Sequence, residues 1–129
     1  PGDDPAGLLA EWAAEVGVAE GARATAPYQV GWCSWYHYFD GVTEDDITAN
    51  LALAGDWPFD VFQLDDGYQP EIADWLATNE KFPSGVDGVA SAITTAGFPP
   101  GIWLAPFIVA PGSEVAMAHP EWLAREADD

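Results

Sequence analysis

Positive charge is what this 129-residue chain has least of: Lys81, Arg23 and Arg125 are its only lysine and arginines against 22 acidic residues, a formal net charge of −19. Binding to a phosphate backbone or an anionic membrane surface needs clustered Lys and Arg, so nucleic acid and membrane are excluded as partners. Cysteine is nearly absent too. Cys33 stands alone, so no intrachain disulfide can form. No apolar run approaches the roughly 18 residues of a membrane-spanning helix. The opening Pro1-Gly-Asp-Asp-Pro5 has neither an initiator Met nor the basic start of a signal peptide, which points to the cytoplasm. That opening and the abrupt Ala127-Asp-Asp129 end suggest a piece of a longer protein. Repeats and low-complexity tracts are missing as well.

What is present is apolar. Hydrophobic residues make up 49% of the chain and include 7 Trp, 6 Phe and 4 Tyr, enough to bury a core and to argue against disorder. The acidic residues are spread along the chain, as on a solvated surface and not in an interaction tail. Adaptation to high salt and a merely acidic composition both account for them.

The periodicity predicts alternating helices and strands. Pro5 to Val16 reads as a helix, with Pro in its first turn, Leu8, Leu9, Trp12 and Val16 at helical spacing, and Gly17 closing it. After a loose stretch around Gly21 to Pro27, the aromatic run Val30 to Phe39 reads as a strand. Thr43 offers an N-cap to a helix with Glu44, Asp45 and Asp46 in its first turn, closing near Gly55. Phe59 to Leu64, interrupted by Gln63, has the character of a parallel strand buried on both faces. A short helical piece over Ile72 to Ala77, a helix over Gly88 to Ala96, a third strand over Gly101 to Ile108 and a last helix from Pro120 through Leu123 complete the reading. These are βα units: three of them form either a small doubly wound sheet or the opening of a (β/α)8 barrel, which needs about 250 residues. The polar residues just past each strand favour the barrel, and no G-x-G-x-x-G follows the first strand as a dinucleotide-binding sheet would require.

Asp65 and Asp66, at the end of the second strand, are the sharpest chemical signal. Two carboxylates there are costly to desolvate without partners, and the chain has few cations to offer. A divalent metal, acid–base catalysis and capture of sugar hydroxyls all fit. So does a structural role, with Asp65 capping the next turn and Asp66 opening an Asp-Gly turn. Neighbours on one strand end rarely straddle a glycosidic bond, because a retaining pair sits about 5–5.5 Å apart across it. Metal binding needs further ligands, and no H-x-x-x-H or calcium loop is visible. Trp32, Trp35, Tyr36, Tyr38 and Trp103 could supply flat walls for a ligand, although Trp35 and Tyr36 cannot both point inward unless the strand has already ended. Cys33 reads as a buried structural thiol and His37 as a core histidine. His119 reads as a loop or helix-start residue and Lys81 as a surface charge.

Five motifs in order, Gly31-Trp-Cys-Ser-Trp-Tyr-His-Tyr-Phe39, Phe59-Asp-Val-Phe-Gln-Leu-Asp-Asp-Gly-Tyr68, Asp74-Trp-Leu76, Lys81-Phe-Pro-Ser-Gly85 and Gly101-Ile-Trp-Leu-Ala-Pro-Phe107, resemble the α-galactosidases of glycoside hydrolase family 36. The resemblance runs from about Leu8 to His119-Pro-Glu-Trp122. It implies an incomplete α/β chain: a connector helix and linker over residues 1–29, then the first three βα units of a (β/α)8 TIM barrel over residues 30–129. It implies retaining hydrolysis of a small α-galactoside, such as melibiose or a raffinose-type oligosaccharide, with no cofactor and no metal, and leaves room for a homo-oligomer of the full-length enzyme. By motif position, Asp65 and Asp66 bind hydroxyls of a terminal galactosyl ring, Trp103 lines the pocket, and Trp35 and Tyr36 stand beside it. The family's nucleophile, in a Lys-x-Asp motif on the fourth strand, and its acid/base aspartate would both lie beyond residue 129. The fragment alone would then be inactive. A raffinose-synthase-type galactosyltransferase, an α-N-acetylgalactosaminidase and a non-catalytic sugar-binding module are the alternatives.

Overall fold

A computed structural model describes residues 4–22 and 27–124. Arg23, Arg125, part of the Gly21 to Pro27 stretch and both extreme termini lie outside the described residues. Among those described, the helices are α1 (Pro5–Ala19), α2 (Trp35–Tyr38), α3 (Glu44–Ala54), α4 (Gly85–Thr95) and α5 (Glu114–Ala118), and the strands are β1 (Gly31–Cys33), β2 (Val61–Leu64) and β3 (Pro100–Ile102). The strands form one parallel sheet in the order β1-β2-β3, with Cys33 opposite Gln63 and Gln63 opposite Gly101. All three carboxyl ends therefore face the same way. Consecutive strands are neighbours, whereas a doubly wound sheet would place its first strand inside.

Alternation along the strands divides the sheet into two faces. Phe62 and Leu64 point to the covered face and join Ile47, Leu51 and Ala54 of α3, Val89 and Ile93 of α4, and Tyr68, Phe82 and Phe98 in the core. Trp32 stacks on Phe62 with centroids 4.1 Å apart. Val61 and Gln63 point to the opposite face and are only partly buried. That face is crowded only locally: Val61 fills the space a Cβ would need at Gly31, and a Cβ at Gly101 would stand close against Gln63 and Val61.

The Thr43 cap is as expected. Its hydroxyl accepts from the Asp46 amide while the Asp46 carboxylate accepts from the Thr43 amide, closing a capping box at the start of α3. Gly55 caps the other end. The first helix runs through Gly17 to Ala19 and buries none of its residues, leaving Leu9 and Trp12 exposed.

Four further readings need correction. The Val30 to Phe39 run is not one strand: β1 stops at Cys33, Ser34 takes a helical conformation, and Trp35–Tyr38 forms one helical turn, so tertiary context overrides the β-preference of its aromatics. The third strand ends at Ile102, since Ala105 accepts a turn bond from Ile108 and Pro106 has no N–H for a ladder. Ile72 to Ala77 forms separate turns, with Ala73 at φ 100°, in place of a helix. The carboxylate of Asp74 instead accepts the amides of Glu114 and Val115 at the start of α5. After α5 comes a 3-10 turn, Pro120–Trp122, where a last helix was expected.

The accessible surface is 9476 Å². A compact monomer of 13.8 kDa exposes about 6,600 Å². The uncovered sheet face and the solvent-exposed α1 are consistent with the excess.

Candidate functional site

The backbone brings the three strand ends together before any side chain is considered. The Asp65 amide donates to Ser34 Oγ (2.9 Å), tying the end of β2 to the end of β1. The Trp103 amide donates to the Leu64 carbonyl (2.9 Å), and the Tyr68 hydroxyl donates to the Trp103 carbonyl (3.4 Å), tying the end of β3 to the same corner. Asp65 thus lies between Ser34, which leads into Trp35 and Tyr36, and Trp103.

Gly67 allows the chain to turn this tightly. Its φ of 115° lies where side chains are strained, and a Cβ there would stand 2.6 Å from the Asp40 carbonyl oxygen. The Asn79 amide holds the far side of the turn, donating to the carbonyls of Gly67 and Gln69 (2.9 and 3.0 Å). Lys81 is no loose surface charge: it is half-buried, and its Nζ donates to the Asp40 carbonyl.

The two carboxylates are held differently. Asp65 is buried, and its Oδ2 accepts from Gln63 Nε2 (2.7 Å) and from the Cys33 thiol (3.1 Å), while Oδ1 accepts the Asp66 amide (2.9 Å). A carboxylate offers about four lone-pair sites, so roughly one remains. Asp66 is half-buried; its Oδ1 accepts from Gln69 Nε2 (2.5 Å), and its Oδ2 has no partner among the described residues. Neither carboxylate meets a cation there. The structural reading of the pair, a cap followed by an Asp-Gly turn, is realised together with an unfilled acceptor on Asp66.

Cys33 is half-buried in place of fully buried. Burial, with the Asp65 carboxylate beside it, pushes its thiol above the ordinary value, which keeps it a protonated donor. The buried Tyr68 hydroxyl is pushed up to about 12 by burial and by the Asp66 charge. Trp103 meets Trp75 edge-on at 5.7 Å, and Trp35 meets Phe39 edge-on at 5.4 Å. Tyr36 is 86% exposed. Because β1 has ended by Cys33, the objection to Trp35 and Tyr36 serving one site falls away. His37 is exposed, with its ring edge-on to Tyr38, and is not a core residue. His119 stacks on Trp122 and pairs with Glu121 at the end of α5. No three His, Cys, Asp or Glu side chains among the described residues converge as a metal-binding group.

Sequence reasoning passed over Gln63, Cys33, Ser34, Gln69 and Asn79 as parts of this corner. Gln63 carried a usable signal: it interrupts an apolar strand two residues before Asp65, hence on the same face.

The chain is thus an α/β protein whose parallel sheet gathers carboxylate acceptors, side-chain amides and aromatic rings near the carboxyl ends of its strands. The chain belongs to the melibiase family, whose sequence model matches residues 26–129. It is 33% identical over 92 residues to the α-galactosidase AgaA of Geobacillus stearothermophilus, covering 66% of this chain and 12% of that protein. It is 29% identical over 69 residues to an Escherichia coli α-galactosidase, covering 48% of this chain and 10% of that protein. The fold overlays the Thermus thermophilus α-galactosidase TtGalA, solved with p-nitrophenyl α-D-galactopyranoside and with stachyose, at a TM-score of 0.76 and 34% identity, over 82% of this chain and 22% and 23% of those chains. The chain therefore spans a small part of the relatives it matches.

Proposed function

We propose that the chain is the amino-terminal part of the catalytic barrel of a retaining α-galactosidase, with residues 1–29 as connector and residues 30–129 as the first three βα units of a (β/α)8 domain. The β1-β2-β3 order, the uncovered Val61–Gln63 face and the excess of exposed surface support this reading, since an inner barrel face is filled only when the remaining strands close around it. The nucleophile and the acid/base then come from later strands, and the residues here bind and orient the sugar.

The observation that carries the proposal is the corner at the end of β2. Asp66 Oδ2 and the remaining acceptor of Asp65 accept hydrogen bonds from adjacent hydroxyls of a terminal α-galactosyl ring, and each such bond to a charged acceptor is worth about 1.5–3 kcal/mol. Trp103, with Trp35 and Tyr36, supplies ring faces for the apolar side of the sugar. The site uses no cofactor or metal, and its partner is a small galactoside of the kind TtGalA holds in its complexes.

The test is the full-length gene product on p-nitrophenyl α-galactopyranoside, with the anomer of the first product followed by NMR. Release of α-galactose supports the proposal. Preference for the N-acetylgalactosaminide, or transfer of galactose to an oligosaccharide acceptor in place of water, selects a neighbouring activity. Binding without turnover, in a gene lacking a Lys-x-Asp strand, indicates a sugar-binding module.

A further inference from the structure

A carboxylate that binds hydroxyls must hold its orientation while the ligand comes and goes, and an exposed carboxylate rotates freely. Asp65 does not depend on a cation for this. Its Oδ2 takes two neutral donors: Gln63 Nε2 at 2.7 Å, from the same strand and the same face, and the Cys33 thiol at 3.1 Å, from the register position opposite Gln63 on β1. Only the NH2 end of an amide can donate to a carboxylate, so the hydrogen-bond pattern also fixes which way Gln63 points. Gln63 would be an odd residue to find in the middle of the sheet if packing alone mattered. Its strand neighbours Phe62 and Leu64 are buried apolar residues, and the space beside it on β3 is a glycine, Gly101.

We infer that Gln63 is a positioning residue for the galactoside site, locking the Asp65 carboxylate through Oδ2 so that Oδ1 is presented to the sugar, with Cys33 as the second donor. The inference rests on the reading of Asp65 as a hydroxyl acceptor and deepens it. Neutral donors suit this task. A lysine or arginine in the same place would neutralise the carboxylate and compete with the hydroxyls for it, whereas an amide orients it and leaves its charge in place to strengthen the bond to the sugar.

The experiment is a double-mutant cycle in the full-length enzyme, Gln63→Leu with Asp65→Ala, read as kcat/KM on an aryl α-galactoside for proteins whose melting midpoints match the parent. Gln63→Leu keeps the volume and removes the donor. The expected result is a fall of about tenfold in the native background, the low end for losing one bond to a charged group because Cys33 remains, and less than about twofold when Asp65 is already alanine. An equal fall in both backgrounds overturns the inference, because Gln63 then acts through something other than Asp65. No fall in the native background overturns it as well. An Asp65→Ala variant with undiminished kcat/KM is a separate result: it removes Asp65 from the site and takes this inference with it.

Gln63→Glu gives a second readout that simple packing would not move. The introduced carboxylate has no proton to donate and repels Asp65, and that repulsion raises its own proton affinity. Activity relative to the parent should therefore recover as the pH falls and the introduced group, now a neutral carboxylic acid, donates again, while the same ratio for Gln63→Leu stays flat. A flat ratio for Gln63→Glu contradicts the inference.

Discussion

Replacing Gly67 by alanine in the full-length protein tests how the corner is built. The residue sits at φ 115°, and the added Cβ would lie 2.6 Å from the Asp40 carbonyl oxygen, 2.8 Å from its Cα and 2.9 Å from its carbonyl carbon. All three atoms are backbone, so no side-chain rotation relieves the clash. Holding a side chain in such a backbone region costs roughly 1–3 kcal/mol, and pushing packed neighbours apart costs roughly another 1–3 kcal/mol. The total, about 2–6 kcal/mol, falls on the turn that aims Asp65 and Asp66, and it disturbs the Asn79 bond to the Gly67 carbonyl. Gly41 is the control, since a Cβ there meets nothing within 4 Å. Urea or thermal melts and kcat/KM on an aryl α-galactoside should show Gly67→Ala markedly destabilised and impaired, with Gly41→Ala close to the parent. Equal melting midpoints and equal kcat/KM for Gly67→Ala and the parent would refute the close approach of the two segments.

Three further outcomes are expected of the full-length protein. If the aspartates capture hydroxyls as proposed, EDTA leaves galactosidase activity unchanged; loss restored by calcium or magnesium contradicts that role. Alkali should weaken the fold through Tyr68: its hydroxyl is raised from 10.0 to about 12, so the folded state keeps a proton that the unfolded chain releases, and stability declines as the pH climbs from 10.0 towards about 12. Tyr68→Phe should flatten that part of a melting-temperature profile, and an unchanged slope would discount the buried hydroxyl. If the −19 charge is an adaptation to concentrated salt, the melting temperature rises between about 0.1 M and about 1 M NaCl as carboxylate repulsion is screened; equal midpoints leave the acidity without that meaning.

Part of the alternation of helices and strands was legible because α3 carried its own local punctuation. Thr43 with Asp46 forms a capping box using side chains three residues apart, and Gly55 closes the same helix, so α3 could be bounded without tertiary information. Helix α5 carried a comparable signal in Ser113, whose hydroxyl accepts the Ala116 amide, and it went unread behind Pro120. Strand lengths were overestimated because Trp35, Tyr36 and Tyr38 favour strands in isolation, while here Ser34 bonds across to Asp65 and turns the chain into α2. Asp65 and Asp66 stood out as charges ending an apolar run. Their support could not be found from charge, because Gln63, Cys33 and Gln69 are neutral and reach them only through strand register and turn geometry.

The central claim is that Asp65 and Asp66 hold the hydroxyls of a galactosyl ring, and the most direct measurement is kcat/KM of Asp65→Ala and Asp66→Ala in the full-length enzyme on an aryl α-galactoside. Each variant loses a charge-assisted bond that tightens toward the transition state, worth about 1.5–3 kcal/mol, or about ten- to more than hundredfold in kcat/KM. Asp66→Ala also takes the acceptor from the buried Gln69 amide, so a lowered melting midpoint is expected beside the kinetic loss, and kcat/KM is compared at a temperature where both proteins stay folded. Undiminished kcat/KM in both variants would contradict the account and remove the pair from the substrate site.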